Sequence, residues 1–163
     1  MSMKCIVVDD EPLGRKAIQR LIKEASSLFL IESFGDAESA ETFMSNNEVD
    51  LVFLDIRMPG VDGIEFAKTI SPDTLVIFTT AYPEYAVNSY EVDAVDYLIK
   101  PVEVARFKKA IDKAAIYHNL LSEQKNSIEN IAEEYMFVKA DRRYFKVLFS
   151  DILFIEGLKG TNK

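Results

Sequence analysis

The 163-residue sequence predicts an α/β fold with one doubly wound, five-stranded parallel sheet and helices on both of its faces, a (βα)5 arrangement. Two observations support this prediction. Five short apolar runs recur along the chain, and segments with helical periodicity separate them. Several of these runs are continuously apolar, which is typical of parallel strands covered on both faces. Right-handed crossovers are therefore expected between successive strands.

The predicted strands lie at residues 5–8, 28–31, 51–54, 75–78 and 94–99. Between them, apolar residues recur at spacings of three and four. The first helix begins at Pro12, a residue favoured in a first turn, and its apolar face is expected to run from Leu13 to Ala25. Shorter helices are predicted near 40–44, 64–67 and 85–90, and Asp62 is expected to cap the second of these three.

Val104, Phe107, Ile111 and Ala114 form an apolar stripe that predicts a fifth helix packed on the core. The continuation of this stripe through Leu121 and Ile128 indicates either a connector or a dimer seam. Beyond Ser122 the pattern changes to short strands without helices, at 135–138, 144–148 and 152–155, with a hairpin turn at 141–143. Such a segment is too short to bury a stable core alone. We predict a first domain at 1–121, a linker or extended fifth helix at 122–133, and the N-terminal fragment of a β-rich module at 134–163.

The composition excludes several classes of protein. No apolar run exceeds four residues, so the sequence predicts neither a membrane span nor a secretory signal, and we expect a cytoplasmic protein with no membrane partner. The single cysteine, Cys5, cannot form an internal disulfide or a Cys-rich zinc site. The single histidine, His118, leaves little scope for a His-rich metal site or a Ser-His-Asp triad. Any chemistry is therefore expected to use carboxylates.

Charge is unevenly distributed along the chain. Residues 1–121 hold 12 basic and 20 acidic side chains, a net charge of -8, whereas residues 122–163 hold 7 of each. An acidic surface repels nucleic acid phosphates, whose neutralisation by Lys and Arg dominates nonspecific affinity. The first 121 residues are therefore not expected to bind DNA on their own.

Polar residues follow the predicted strands at their carboxyl ends, where the functional crevice of an open parallel sheet lies. Asp9 and Asp10 follow the first strand, Asp55 the third, Thr80 the fourth and Lys100 the fifth. If the first and third strands are neighbours, about 4.8 Å apart, their three carboxylates meet in one pocket and repel one another.

A hard divalent cation such as Mg2+, which prefers oxygen ligands, would relieve this repulsion, and Lys100 offers a second positive charge. A metal, a free carboxylate, a hydroxyl and a lysine together suit phosphoryl transfer, in which positioning and charge neutralisation do most of the catalysis. We therefore predict that Asp55 is a nucleophile that becomes an aspartyl phosphate.

Four segments now support a resemblance to a known family. They read IVVDDEP at 6–12, LVFLDIRMPGVDG at 51–63, FTTAY at 78–82 and DYLIKP at 96–101. In this order, they make residues 1–121 resemble the receiver domain of bacterial two-component response regulators. The resemblance implies the flavodoxin-like receiver fold, with strand order 2-1-3-4-5, and a cis peptide bond before Pro101.

The resemblance also implies a role for each matching residue. Asp55 is similar to the phosphoacceptor of the family, and Asp10 and Asp55 to its Mg2+ ligands. By the same resemblance, Asp9 binds the metal through a water molecule and Arg57 through its backbone carbonyl. Thr80 and Lys100 bind the phosphoryl oxygens. Tyr97 is the switch aromatic, which turns inward when the threonine is drawn to the phosphate.

Two longer segments resemble the LytTR-type (LytR/AgrA-like) regulators within this family. They read TAYPEYAVNSYEVDAVDYLIKPV at 80–102 and VKADRRYFKVLFSDILFIEGLKG at 138–160. The resemblance implies a transcription regulator that receives its phosphoryl group from a sensor histidine kinase and forms a homodimer through the face made by helix 4, strand 5 and helix 5. DNA binding is implied only for the full output domain, and the receiver itself is not expected to be an enzyme beyond slow hydrolysis of its own phosphoryl group.

Two other functions are weighed against this one. A Mg2+-dependent phosphatase of the haloacid-dehalogenase type also forms an aspartyl phosphate on a doubly wound sheet, but its nucleophile lies in a DxD motif after the first strand. Here the aspartates after that strand are adjacent, and the better nucleophile, Asp55, ends the third strand. A phosphorylation-independent interaction domain is the second alternative, and the presence of all the acceptor-site residues argues against it.

Overall fold

The computed structural model of the protein describes residues 2–88, 92–129, 135–140 and 143–148. It divides the chain into two compact units, Met1–Leu120 and Leu121–Lys163. In chain order the elements are β1 (Met3–Val8), α1 (Pro12–Lys23), β2 (Leu28–Phe34), α2 (Ala37–Met44), β3 (Leu51–Asp55), β4 (Arg57–Met58), β5 (Val61–Asp62), α3 (Gly63–Thr69), β6 (Leu75–Thr80), α4 (Glu84–Asn88), β7 (Asp96–Ile99), α5 (Val104–Glu129), β8 (Tyr135–Ala140) and β9 (Arg143–Leu148).

The first unit contains the predicted sheet. Five parallel strands lie in the order β2-β1-β3-β6-β7, which is the order 2-1-3-4-5 when only these five strands are counted. Both the doubly wound α/β class and the strand order are therefore confirmed. Strands β3 and β6 are buried along their whole length, as expected for continuously apolar runs with helices on both faces.

The core forms on both faces of the sheet. On one face Phe53 of β3 stacks on Phe107 of α5, with ring centroids 5.5 Å apart. On the other, Ile6, Val52 and Phe78 belong to a buried cluster that includes residues of α2 and α3. Burial of large side chains contributes about 1.5–3 kcal/mol each, so these two layers hold the strand ends in fixed relative positions.

Two expectations about the buried helix faces were wrong. Leu13 was expected on the buried face of α1 but is 79% exposed, and Ile18 and Ile22 are the buried residues. At about 100° per residue, Leu13 lies about 140° around the helix from Ile18, which places it away from the core. Residues four apart are each rotated by about 40°, so positions that follow one another at this spacing do not all stay on the buried face. Val104, in the first turn of α5, is also 48% exposed, while Phe107 and Ile111 are buried.

A short antiparallel pair, β4 and β5, was not predicted from the sequence. It follows β3 directly, and Gly60 connects the two strands with φ of +78°, a conformation that favours glycine. Asp62 then caps α3, because its side chain accepts a hydrogen bond from the backbone N–H of Ile64, as predicted.

The second unit contains the end of α5, which runs to Glu129, and an antiparallel pair of strands, β8 and β9, in which Ala140 lies opposite Arg143. Strands were predicted at 135–138 and 144–148, and both are present. The predicted strand at 152–155 and most of the predicted turn at 141–143 lie outside the described residues. Among the helices that the structure describes, none has the length and apolar character required to span a membrane.

Gly63 allows the close approach of α3 to the end of β3, and replacing it should destabilise the protein. An ideal Cβ at Gly63 would lie 2.2 Å from the carbonyl oxygen of Asp55 and 2.9 Å from the Cα of Ile56. Because these contacts are with backbone, Gly63→Ala is expected to lower the free energy of unfolding by about 2–3 kcal/mol in urea titrations.

Gly60 provides the matched control for that measurement. A Cβ at Gly60 would meet nothing within 4 Å, so Gly60→Ala should show only the backbone cost of its positive φ, about 1 kcal/mol. A loss for Gly63→Ala no larger than that for Gly60→Ala would contradict the steric explanation.

Candidate metal and phosphoryl-acceptor site

The structure places the predicted site residues at one edge of the sheet. Asp9 and Asp10 follow β1, Asp55 ends the neighbouring strand β3, Thr80 ends β6, and Lys100 follows β7. The parallel direction of the strands brings their carboxyl ends together, and the register pairs Asp55 with Thr79 and Thr80 with Ile99.

Three carboxylates converge at this edge. One oxygen from each of Asp9, Asp10 and Asp55 lies within 4.8 Å of the other two. Asp9 and Asp55 are buried, with 1% and 4% of their surface exposed, and Asp10 is half-buried. Three anions this close, and largely removed from water, repel one another strongly unless positive charge lies among them.

Lys100 supplies one positive charge. Its Nζ lies 2.8 Å from Oδ2 of Asp9 and 3.5 Å from Oδ2 of Asp55. The backbone N–H of Lys100 donates to the carbonyl of Thr80 at 2.8 Å, which fixes the start of the side chain. The peptide bond between Lys100 and Pro101 is cis, as the resemblance implied.

Asp9 and Asp10 differ in the hydrogen bonds that their carboxylates accept. Besides its contact with Lys100, Asp9 accepts a hydrogen bond from the backbone N–H of Glu11 at 2.8 Å, and its carbonyl accepts one from the Arg15 guanidinium. Oδ1 of Asp10 is buried and has no hydrogen-bond partner among the described residues. A buried, unpartnered carboxylate oxygen beside two further carboxylates fits a hard divalent cation, so the residues present suit Mg2+.

The environment of Asp55 changes its acidity. Burial raises the pKa of Asp55 from 3.8 to about 6; Lys100 acts to lower it, Asp9 and Asp10 to raise it further, and a hydrogen bond from the Arg57 backbone to lower it. The pKa is therefore poised near neutrality, and above pH 6 most molecules carry an ionised, poorly solvated carboxylate at the end of β3.

Thr80 and Tyr97 lie at the same end of the sheet, with interactions of their own. The fully buried Thr80 accepts a hydrogen bond at Oγ1 from the backbone N–H of Tyr82 at 3.0 Å. Tyr97 is half-buried, and its ring stacks on Phe78 with centroids 5.2 Å apart. These contacts place the Tyr82 backbone beside the hydroxyl of Thr80 and the Phe78 ring beside that of Tyr97.

Arg57 has its backbone and its side chain in different environments. The backbone of Arg57 acts on the Asp55 carboxylate and lowers its pKa, whereas the side chain is exposed and Nη1 donates to the hydroxyl of Tyr85 at 2.7 Å. Its guanidinium also lies over the ring of Tyr82, 5.5 Å from the centroid. This cluster was not predicted, because a contact between positions 28 residues apart leaves no local signal in a sequence.

Comparison with known proteins identifies the family. Residues 5–112 match the family described as the response regulator receiver domain. This chain belongs to that family. Receiver domains are the regulatory part of response regulators in two-component systems, so the function class expected from the sequence is confirmed at this level.

The relatives of this receiver domain are regulators. It is 40% identical over 128 residues to an uncharacterized response regulatory protein of Vibrio vulnificus, covering 74% of this chain and 52% of that protein. It is 35% identical over 135 residues to the sensory transduction protein LytR of Staphylococcus haemolyticus, covering 81% and 51%. The chain thus spans about half the length of the curated relatives it matches, and these relatives confirm its resemblance to the LytTR-type group.

A solved structure confirms the receiver fold. The response regulatory domain of protein mrkE from Klebsiella pneumoniae superposes with a TM-score of 0.65 at 32% sequence identity. The match covers 72% of this chain and 98% of that domain. The flavodoxin-like arrangement of five parallel strands and flanking helices is therefore common to both.

The raised pKa of Asp55 predicts a pH-dependent stability in the absence of metal. The folded state binds the proton of Asp55 more tightly than the unfolded chain does. The contribution of protonated Asp55 to the free energy of unfolding is therefore fully present below about pH 4 and is lost as the pH rises through 6. Asp55→Asn should therefore stabilise the protein at pH 7 by about 2 kcal/mol, and the two proteins should converge toward pH 4.

Urea unfolding in EDTA, measured at several values of pH between 4 and 8, tests this expectation. Asp73→Asn, an exposed substitution in the loop before β6, is the control and should not remove the loss of stability between pH 4 and 8 that Asp55→Asn removes. Parallel stability curves for the parent and Asp55→Asn would contradict the prediction.

Proposed function

We propose that this receiver domain is a phosphorylation-operated switch, in which Asp55 accepts a phosphoryl group from a sensor histidine kinase with the help of Mg2+. The observation that carries the proposal is the convergence of Asp9, Asp10 and Asp55 within 4.8 Å, together with a buried oxygen on Asp10 that has no hydrogen-bond partner in the part of the chain that the structure describes. Lys100, 3.5 Å from the Asp55 carboxylate, supplies the second positive charge that a transferred phosphoryl group needs.

Each residue of the pocket has a distinct role in this proposal. Asp10, Asp55 and the backbone carbonyl of Arg57 would hold Mg2+, and Asp9 would hold it through a water molecule. The bound ion would neutralise charge on the phosphoryl oxygens and orient the group for in-line transfer. Lys100 is already held by Asp9 at 2.8 Å, so little reorganisation of this lysine is required.

Asp55 is the nucleophile of the proposed transfer. Its ionised oxygen forms a bond to phosphorus while the bond from phosphorus to the imidazole nitrogen of the kinase phosphohistidine breaks, and the imidazole keeps that electron pair and takes up a proton. Burial makes the Asp55 carboxylate more basic than an exposed aspartate, although it stays largely ionised at neutral pH. Hydrolysis of the adduct restores the aspartate. In this reaction the domain removes only its own phosphoryl group and does not turn over external substrates.

The output of the switch would be a change in conformation. A phosphoryl group brings a charge of about -1.5 to -2, and its oxygens would bind Lys100 and the hydroxyl of Thr80. Tyr97, which lies opposite Phe78 of β6 in the register, would then turn inward as the threonine moves. To shift the ratio of the two conformations from 1:99 to 99:1, the phosphoryl group must interact with one of them more favourably by about 5.5 kcal/mol. A few charge-assisted hydrogen bonds can supply this difference.

The remaining parts of the proposal concern the domain organisation and the output of the switch. We assign residues 1–121 to the receiver, 122–133 to the connector and 134–163 to the start of a LytTR-type DNA-binding module. Support comes from the continuation of α5 to Glu129, the antiparallel pair β8–β9, and the neutral charge balance of residues 122–163 against the acidic receiver. Homodimerisation through the face of α4, β7 and α5 would couple phosphorylation to DNA binding by the complete module.

Phosphorylation by a small donor tests the central claim. Incubation with Mg2+ and acetyl phosphate should add one phosphoryl group to the parent protein, seen by intact mass spectrometry, and none to Asp55→Ala. Asp73→Asn, which removes an exposed carboxylate before the amino end of β6, at the opposite end of that strand from Thr80, should be modified like the parent. An adduct that persists in Asp55→Ala, or repeated turnover of many phosphate esters, would count against the switch and favour another acceptor or a phosphatase.

Binding of Mg2+ is expected to stabilise the folded protein through Asp10. At a concentration one hundred times the dissociation constant, the gain is about 2.7 kcal/mol. Asp10→Asn should lose this gain without a lower stability in EDTA, because one of three repelling charges has been removed. Thermal unfolding followed by circular dichroism across a Mg2+ titration makes the comparison, with Asp73→Asn as the control. An equal response to Mg2+ in Asp10→Asn would show that the ion binds elsewhere.

A further inference from the structure

Strand β7, which carries Tyr97, lies at the edge of the sheet and, within the described part of the chain, pairs with β6 alone. A backbone group on the outer side of an edge strand has no strand partner and must bond to side chains or water. For Tyr97 both groups bond to side chains. Its N–H donates to Oδ1 of Asp96 at 2.8 Å, and its carbonyl accepts from Nη2 of Arg106 at 3.1 Å.

The two side chains that hold Tyr97 also bind each other. Arg106 donates from Nη1 to Oδ2 of Asp96 at 2.9 Å and from Nη2 to Oδ1 at 2.6 Å, which is a bidentate ion pair. Asp96 exposes 16% of its side chain and Arg106 exposes 42%. Although burial acts to raise the pKa of Asp96, hydrogen bonds from Arg106 and from the Tyr97 backbone lower it overall, so the carboxylate stays charged. Such charge-assisted pairs are about twice as strong as neutral hydrogen bonds and fix direction as well as distance.

Arg106 is itself firmly placed. It belongs to the first turn of α5, and the next residue, Phe107, is 2% exposed and stacks on Phe53 of the central strand. The guanidinium therefore reaches the edge strand from a helix turn that the core holds in place. A Lys at this position could keep the charge, but it could not make two parallel bonds to Asp96.

We infer that Arg106 is a positioning residue that ties the backbone of Tyr97 to the first turns of α5, so that a change at the switch tyrosine is transmitted to this helix. The inference rests on the proposed function, because it assumes that Tyr97 responds to phosphorylation of Asp55. It adds a route by which the response leaves the sheet, through Asp96 and Arg106.

Nuclear magnetic resonance of the full 163-residue chain tests the route, with acetyl phosphate and Mg2+ as the phosphodonor. In the parent, phosphorylation should shift the amide resonances of β7 and of residues 104–111 together. Arg106→Lys should form the adduct to the same extent, measured by mass, and keep the shifts in β7, but lose those of residues 104–111. Amide exchange at Tyr97 should also rise about tenfold in this variant before phosphorylation.

Two further variants separate positioning from charge and from stability. Lys109→Gln removes an exposed cation from the same helix and should behave like the parent. Asp96→Arg combined with Arg106→Asp restores opposite charges, but Arg at position 96 cannot accept from the Tyr97 N–H and Asp at 106 cannot donate to its carbonyl, so the α5 response should stay lost. Circular dichroism confirms that each variant is folded.

The outcomes distinguish the inference from the proposed function. Full α5 shifts in Arg106→Lys, or their recovery in the charge-reversed variant, would overturn the role of Arg106 while the adduct on Asp55 still supports the switch. Absence of an adduct in the parent would overturn the proposed function and this inference with it.

Discussion

Electrostatic repulsion at the carboxyl edge of the sheet is the constraint to which the rest of the receiver is adapted. Asp9, Asp10 and Asp55 are held close together by strand adjacency, and burial strengthens their interaction. Lys100 compensates part of this charge, but its nearer contact is with Asp9. Burial raises the pKa of Asp55, and one oxygen of Asp10 has no hydrogen-bond partner among the described residues. Both features fit the proposed binding of a cation and a phosphoryl group.

The backbone around Asp55 and Asp9 is bonded on several sides, which keeps the repelling carboxylates in place. The N–H of Ile56 donates to the carbonyl of Thr79 on the neighbouring strand, and the N–H of Gly63 donates to the carbonyl of Ile56. On β1, the N–H of Asp9 donates to the carbonyl of Phe34. Because these bonds come from different elements, no single loop determines where the carboxylates lie. Burial of the strands beneath them supplies the free energy that the crowding of charge opposes.

Much of the fold, and the shared location of the polar residues, could be predicted from the sequence because parallel topology places all strand ends at one edge. Local patterns could not predict contacts that depend on tertiary placement, such as Arg57 with Tyr85 or the 3.4 Å approach of His118 to Asp50. The exposure of Leu13 was also missed, because a spacing of four residues matches the helical period only over short distances. The roles of the individual site residues came from the family resemblance and stay predictions.

The strand order separates two mechanical tasks. Asp55, the proposed acceptor, ends β3, the central strand, whose backbone is bonded to a neighbour on each side. Tyr97 belongs to β7, which pairs with one strand among the residues that the structure describes. Displacing a central strand disrupts two ladders of hydrogen bonds, while a border strand can shift by breaking or bending one. If the proposed switch is correct, the geometry around Asp55 can stay rigid while β7 moves at a low cost in free energy, so accurate positioning of the acceptor does not prevent a change in conformation at the border of the sheet.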